Sequence, residues 1–476
     1  MIMKITALLP YVCIALLTQC NQPNKNDSEF DSVSRVESGK PVSVMVTSYS
    51  TTLLANGRDK TRLRVAVTDS LSREITSAKD SIRIYLEGDG KVTAEDGKAL
   101  DIKTDTAGKS YASCQLIKGT CHLVFHAGNT PGKVKVEARS GKLWPGSHEI
   151  HTLPGDLKLM KPDPGQMPPT VKPIGRMIGA DISFLPQLEE RGIKFSENGR
   201  ETDAIQLLKT HGFNYIRLRI FVNPDNPKGY SPEKGYCGLS QTLAMALRIK
   251  NAGMKLLLDF HYSDYWADPQ QQNKPMAWVG LGFETLRDSV KTYTAGVLTA
   301  LKTQGTLPEM VQIGNEINHG LLWPDGHISN PDQLAALLKS GVAGVESVDP
   351  ALPVMMHIAL GGQNDEARFW LDNMIARGVR FDVLGLSYYP RWHGTLEDLK
   401  ANMLDLTDRY HKPVNVVEYS DFKREVHEIV FNLPGEMGKG AAIWEPLNGR
   451  SGLFGRNGET TSLFMVFNEL KEKYLK

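Results

Sequence analysis

The sequence lacks a charge excess, a leading apolar run long enough to cross a membrane, and a zinc-type histidine spacing, and each lack removes a class of function. Lys and Arg number 55 against 54 Asp and Glu, a net charge of +1, so bulk electrostatics gives no support to a nucleic-acid or polyanionic partner. A neutral substrate suits this balance better. The apolar stretch 5–17 is too short to span a bilayer as a helix. His261 has no second histidine at ligand spacing, which argues against a zinc centre. Seven Trp and fifteen Tyr carry no meaning in bulk. Only those at strand ends can face a cleft.

At 476 residues the chain exceeds one ordinary domain and suits a large barrel plus a smaller module. Residues 1–20 run from Lys4 through the apolar stretch to Leu17-Thr18-Gln19-Cys20, the layout of a signal peptide. They resemble a bacterial lipoprotein signal, which implies cleavage before Cys20, lipidation of that thiol and anchoring to the outer membrane, on the cell-surface or periplasmic side. Gln19 departs from the small residue usual at that point, and the alternative Cys13 lies inside the apolar run. Residues 21–40 are polar and read as a flexible tether.

Between 41 and 155 the texture changes to short β-rich segments, at 42–49, 62–69, 81–86, 110–115, 122–126 and 133–139, broken by Gly, Asp and Asn. Their spacing predicts an all-β sandwich of immunoglobulin type. The stretch resembles the immunoglobulin-like modules that accompany bacterial extracellular enzymes. No aromatic platform marks it as carbohydrate-binding, so a spacer is the plainer reading. Cys114 and Cys121 flank a turn-bearing segment and can face each other, either as a disulfide after export or as two free thiols. The Pro-rich stretch 156–173 reads as a semi-rigid linker.

From 174 to 476 strands and amphipathic helices alternate. Strands are expected at 176–182, 214–221, 255–262, 310–317, 353–360, 381–389, 413–419 and 440–445, with helices such as 239–252, 284–303, 331–348, 396–410 and 461–476 between or after them. Eight such units give the α/β class and a (β/α)8 TIM barrel. The seventh crossover, 421–437, is short and predicts a reduced helix. In such barrels chemistry sits at the C-terminal ends of the strands.

Those ends carry Asp181 and Ser183; Arg217 and Arg219; Asp259, His261, Asp264 and Trp266; Asn315 and Glu316; His357; Tyr388 and Tyr389; Glu418; and Trp444 with Glu445. Glu316 and Glu418 end strands four and seven and can oppose each other across one cleft. At a carboxyl separation of about 5–5.5 Å such a pair has the geometry of a retaining glycosidase. Glu316 is then the candidate acid/base and Glu418 the nucleophile, with Arg217 holding Glu418 ionised. Tyr388 is the candidate partner of the nucleophile, Asn315 that of a sugar 2-hydroxyl, and Trp444 an apolar floor. Arg219 and Asp259 read equally well as members of buried ion pairs. No third strand-end carboxylate clearly converges on the glutamates, which argues against a metal there.

The run of motifs resembles glycoside hydrolase family 53, the endo-β-1,4-galactanases. It comprises Gly179-Ala180-Asp181-Ile182-Ser183, Asn214-Tyr215-Ile216-Arg217-Leu218-Arg219, and the stretch from Leu258-Asp259-Phe260-His261 through Asp264-Tyr265-Trp266 to Asp268-Pro269. It continues with Ile313-Gly314-Asn315-Glu316, Gly320-Leu321-Leu322-Trp323-Pro324, Leu386-Ser387-Tyr388-Tyr389-Pro390, Val417-Glu418 and Trp444-Glu445-Pro446. The resemblance implies Glu316 as acid/base, Glu418 as nucleophile and cleavage of β-1,4-galactan, and the residues expected to bind the polysaccharide and galacto-oligosaccharides are Asp181, Arg217, His261, Asp264, Trp266, Asn315, Tyr388 and Trp444. Two stretches depart from the family pattern. Glu418-Tyr419-Ser420-Asp421-Phe422 passes almost directly into a helix, leaving no room for a calcium loop, so no metal or cofactor is expected. Leu447-Asn448-Gly449-Arg450 lacks an aromatic and bears on the glycone subsites. Other readings are a retaining enzyme for another β-1,4-glycan such as mannan, and a surface lipoprotein that captures glycan without cutting it.

Overall fold

The structure, a computed structural model, describes residues 39–163, 172–449 and 451–475. The expected signal peptide with Cys13 and Cys20, and nearly all of the tether, lie outside those residues, as does 164–171 of the linker. Among the described residues no helix is long and apolar enough to cross a membrane.

Ten strands between Ser43 and Pro154 build two sheets. The smaller runs Ser43–Ser48, Lys60–Thr68, Thr120–Ala127, Gly90–Ala94. The larger runs Thr52–Ala55, Gly146–Pro154, Gly132–Arg139, Ser81–Glu87, Ser110–Gln115, Ile102–Thr104. Alternation aims Leu63, Val65 and Val67 of one sheet at Ile82, Ile84, Val134 and Val136 of the other, and these form the module's core. Hydrophobic pattern picks out six of the ten strands. Three of the others span five residues or fewer, and the fourth, Gly146–Pro154, buries His148 and Thr152, which interrupts its apolar alternation. Cys114 and Cys121 occupy one strand of each sheet and are both free thiols.

Eight parallel strands close the barrel: Met177–Asp181, Tyr215–Ile220, Lys255–Phe260, Met310–Ile313, Val354–Ile358, Val383–Tyr388, Val414–Tyr419 and Gly438–Trp444. Their side chains sort by parity. Ile216, Leu218 and Ile220, for example, join the core shared with the helices. On the other parity, each strand gives one residue to a separate apolar layer: Met177, Tyr215, Leu257, Met310, Met355, Val383, Val417 and Ala442. That layer fills the barrel, and the polar residues of the same parity lie beyond it toward the C-terminal ends. The seventh crossover holds the short helix Lys423–Phe431.

The module is bonded to the barrel. Glu366, 1% exposed in the barrel helix Asn364–Ala376, accepts hydrogen bonds from Thr51 N at 2.5 Å, Thr51 Oγ1 at 2.6 Å and Thr52 Oγ1 at 2.7 Å. His319 lies 3.4 Å from the same carboxylate, and its ring packs at 4.2 Å on His151 of the module's last strand. Lys158 and Met160, in the stretch read as linker, bond to Arg377 and Asn373 of the barrel. The module is therefore packed against the barrel by side-chain bonds as well as joined to it through the linker.

Burial alone would raise the Glu366 carboxyl, but bonds from His319, Thr51 and Thr52 outweigh it and hold it at about 2, against an ordinary 4.5. A folded value below the unfolded one stabilises the fold above pH 4.5, and that contribution is lost as pH falls toward 2. We expect Glu366→Gln to lower the unfolding free energy at neutral pH by on the order of 1–3 kcal/mol. It should also flatten the acid-induced loss of stability, measured by urea unfolding at several pH values. An acid dependence equal to that of the unmutated protein would contradict this account.

Candidate active site

Strand four stops at Ile313, and the chain then turns through Gly314 at φ 81° and Glu316 at φ 51°. A Cβ on Gly314 would fall 2.6 Å from Ile317 Cγ2, so this turn requires glycine. Glu316 pays for its left-handed backbone with strain, and the result is a carboxylate turned back over the barrel. Glu418 arrives by another irregularity. Strand six pairs Leu386 with Val416 and then Ser387 with Glu418, skipping Val417. Because Val417 already fills the barrel interior, the bulge lets the next residue face inward as well.

These two turns bring an oxygen of Glu316, an oxygen of Glu418 and a ring nitrogen of His357 within 4.8 Å of one another. Three ligand atoms so close could hold a cation in principle, but both His357 nitrogens are already engaged, Nε2 with Ser387 Oγ at 2.9 Å and Nδ1 with Gln312 Nε2 at 3.1 Å. The spacing of the glutamates matches a nucleophile and an acid/base pair. Burial and the neighbouring Glu418 push the Glu316 carboxyl well above its ordinary value, while Ser387 Oγ, donating to Oε1 at 2.6 Å, pulls the other way. Burial also raises Glu418, opposed by Arg217 Nη1 at 3.4 Å and by the Tyr389 hydroxyl donating to Oε1 at 2.9 Å. Burial and both carboxylates keep the Tyr389 phenol protonated. The site thus holds one carboxyl that keeps its proton more readily than the other.

Arg217 is the hub beneath the pair. Its guanidinium reaches Asp181 at 2.9 Å, Asp259 at 2.8 Å and Asn315 Oδ1 at 2.8 Å as well as Glu418. Asp181 is fully sealed there, also accepting from Ser183 Oγ at 2.6 Å, so it supports the site from below. His261 is likewise closed off: Ala267 N donates to Nδ1 at 3.0 Å, which leaves the proton on Nε2, 3.0 Å from Asp259. Asp264 ties loops together, accepting from Asn223 N, Asn226 Nδ2 and Met276 N. These three were expected to meet substrate, and the structure gives their polar atoms to the protein.

Trp444 and Trp266 stay half-exposed with centroids 6.2 Å apart, and Phe184 lies 6.0 Å from Trp266. The Arg219 guanidinium stacks 4.1 Å from the Trp266 ring centre and 4.5 Å from that of Phe184. Its Nη1 bonds to Glu445 at 2.6 Å, while Nε and Nη2 find no acceptor among the described residues. Asn315 Nδ2 donates to Ala267 O at 2.8 Å.

The phenol that reaches Glu418 belongs to Tyr389. Tyr388 has the opposite parity, joins the core under the helices and donates to Gly394 O at 3.2 Å. Parity within 381–389 was the signal available, since Ser387 must then face inward. Ser387 itself, which touches Glu316, was not singled out in the sequence for any role.

Comparison with known proteins adds an independent line. Residues 177–436 match the model of glycosyl hydrolase family 53, and residues 44–149 match glycoside hydrolase family 2 C-terminal domain 5. The arabinogalactan endo-β-1,4-galactanase A of Emericella nidulans is 34% identical over 291 residues, 59% of this chain and 80% of its own. The arabinogalactan endo-β-1,4-galactanase of Cellvibrio japonicus is 38% identical over 252 residues, 51% of this chain and 64% of its own. Among solved structures, the Ignisphaera aggregans GH53 catalytic domain superposes with a TM-score of 0.58 at 32% identity, covering 64% of this chain and 99% of that one.

If Tyr389 stabilises ionised Glu418, Tyr389→Phe removes a donor and the Glu418 carboxyl should titrate at higher pH. Tyr388→Phe should leave it unchanged. The check is carboxyl-carbon NMR of protein labelled at glutamate, and a shift from Tyr388→Phe alone would reverse the assignment.

Proposed function

Because the chain belongs to glycosyl hydrolase family 53, we propose that it is a retaining endo-β-1,4-galactanase acting on the galactan of type I arabinogalactan and releasing galacto-oligosaccharides. The observation that carries this reading is the pair of glutamate oxygens within 4.8 Å at the ends of strands four and seven. In the first step Glu316 gives its proton to the glycosidic oxygen as that bond breaks, and a Glu418 oxygen bonds to the anomeric carbon. In the second, water attacks that carbon, its proton passes to Glu316, and Glu418 departs. Two inversions leave the β-configuration of the sugar.

Supporting groups have separable tasks. Arg217 and Tyr389 offset the cost of burying the Glu418 charge. Asn315, held by Arg217 and Ala267, is oriented to meet a 2-hydroxyl, whose hydrogen bonds strengthen toward the transition state. Trp444, with Trp266 beside it, offers an apolar face to the flat side of a galactose ring. Asp181, His261 and Asp264 act through the residues they hold. No nucleic-acid partner or cofactor enters this scheme.

The N-terminal sequence supports a lipid-anchored enzyme, attached through Cys20 to the outer membrane and facing the cell surface or the periplasm. Metabolic labelling with a palmitate analogue should mark the unmutated protein and be lost in Cys20→Ser. Label retained by that variant would place the anchor elsewhere.

Incubation with galactan, mannan and cellulose should release oligosaccharides from galactan alone, with the new reducing ends β when followed at once by proton NMR. Glu418→Ala should lose turnover by roughly a thousandfold or more. Binding of galactan without cleavage by the unmutated protein would instead favour glycan capture. Release from mannan alone would move the substrate to another β-1,4-glycan.

A further inference from the structure

Glu316 has two oxygens, and the protein treats them differently. Ser387 Oγ lies 2.6 Å from Oε1, whereas no hydrogen bond among the described residues reaches Oε2. Behind Ser387 stands His357, whose Nε2 is 2.9 Å from the same hydroxyl. His357 Nδ1 in turn meets Asn315 Oδ1 at 3.0 Å, Gln312 Nε2 at 3.1 Å and Glu316 N at 3.4 Å. Ser387 and His357 are both fully buried, so solvent cannot replace any of these partners.

Building on the acid/base role proposed above for Glu316, we propose that Ser387 and His357 form a positioning relay that keeps Oε1 an acceptor, so that the proton exchanged with substrate resides on Oε2. Hydrogen-bond bookkeeping gives the reason. A serine hydroxyl has one hydrogen. When Ser387 donates it to Oε1, its own oxygen must accept, and His357 Nε2–H is the neighbour placed to donate. Nδ1 of the neutral imidazole is then bare and accepts from Gln312 Nε2–H and from Glu316 N–H. Every donor finds an acceptor in this arrangement, and Asn315 Oδ1, which faces the bare Nδ1 at 3.0 Å, takes its hydrogen from Arg217 Nη2 at 2.8 Å.

The opposite arrangement runs the chain backwards. A proton on Oε1 would donate to Ser387, Ser387 to Nε2, and Nδ1–H to Asn315 Oδ1. It turns Nδ1–H toward Glu316 N–H, which then loses its acceptor, and it puts the carboxyl proton on the oxygen that faces Ser387. Asn315 Oδ1 already accepts from Arg217 Nη2 at 2.8 Å, and Gln312 Nε2 donates to Asp259 at 2.6 Å, so the surrounding bonds hold both relay anchors in place. Shifting protons along the Ser387–Oε1 and Nε2–Ser387 bonds is not enough to pass between the arrangements, because Nδ1 must also gain a proton and Oε2 must lose one, and Asn315 Oδ1 has none to give.

In the first chemical step the proton on Oε2 goes to the glycosidic oxygen, and the charge left on Glu316 is stabilised by the Ser387 hydroxyl. In the second step Oε2 takes a proton from the attacking water. The charged and titratable groups facing Glu316 are Glu418 on strand seven, Asp268 in the loop after strand three, Arg217 on strand two and Tyr389 after strand six. Those facing His357 are Glu316 and Glu418, each with an oxygen within 4.8 Å of a ring nitrogen, and Arg217, His261 and His393. Burial and Arg217 keep His357 neutral, as the relay requires.

The test is Ser387→Ala, His357→Ala and their double variant, read two ways. In carboxyl-carbon NMR, Ser387→Ala should move the Glu316 titration to higher pH, since a donor to the ionised form is lost. His357→Ala should move it the same way by less, and adding it to Ser387→Ala should cause no further shift. In kinetics on galactan the basic limb of the pH profile should rise with it, and kcat should fall roughly ten- to a hundredfold. A Glu316 titration unmoved by Ser387→Ala, or a double variant whose shifts simply add, would overturn the relay. Lack of activity on galactan in the unmutated protein would overturn the proposed function instead, and the NMR arm would still decide the relay.

Discussion

The structure depends on how it pays for one buried cation. Arg217, 2% exposed, stands at the centre of a barrel whose interior has been made apolar one layer below, and it is the common partner of Asp181, Asp259, Asn315 and Glu418. Burying a guanidinium without such partners would cost several kcal/mol. With them, the cost becomes an organising force. Arg217 and Arg219 face Asp181, Asp259, Glu316, Glu418 and Glu445 within the same interior. Two cations cannot balance five carboxylates. Burial and Glu418 push Glu316 well above its ordinary value, and burial does the same to Glu445 against the pull of Arg219.

Backbone strain is spent at the same level of the barrel. Tyr262, Glu316 and Glu445 follow the ends of strands three, four and eight with φ of 51°, 51° and 43°. None is glycine, and left-handed backbone costs a side-chain-bearing residue of order 1–3 kcal/mol. The cost is borne by the packing around them, where Ile317, Tyr262 and Leu447 are each buried to 3% or less. The layer below, with one apolar residue from every strand, contains no such outlier. Stability and chemistry occupy successive layers of one barrel.

Much of this was legible in the sequence, and the misses have physical causes. Alternation of apolar and polar residues revealed eight barrel strands, and the residues at their ends included Arg217, Glu316, Glu418 and Trp444. Parity could have separated Tyr388 from Tyr389, but both are tyrosines beside a proline, and composition does not distinguish an inward phenol from an outward one. The bulge at Val417 was invisible because it inserts an apolar residue where an apolar residue was expected. Asp181, His261 and Asp264 were expected to meet substrate, and their protein partners were not legible because sequence reports donors and acceptors without reporting who uses them. Ser387 was passed over for the converse reason, since one hydroxyl among many has no pattern until its neighbours are known. The module's strands were half visible, and its bond to the barrel was not visible at all, since Thr51 and Glu366 are far apart in the chain and ordinary in type.

That bond changes what the module means for the site. Glu366 receives Thr51 and Thr52 on one side and meets His319 on the other, and His319 follows Glu316 by three residues in the short helical turn Ile317–His319. His319 Nδ1 also reaches Pro269 O at 2.7 Å, in the loop that carries Asp268, itself one of the charges facing Glu316. A path of direct contacts therefore runs from the module's edge to the loop that carries Asp268. The segment it braces is strained at Glu316, and a strained turn keeps its geometry only if the residues flanking it cannot relax. On one flank the brace is the barrel interior through Gln312 and Asn315. On the other it is His319, pinned by Glu366 and capped by the His151 ring. Removing the module would take Thr51 and Thr52 from Glu366 and the His151 ring from His319, leaving His319 held by Glu366 and Pro269 alone, so the β-sandwich reinforces one flank of a turn whose reacting atoms all belong to the barrel.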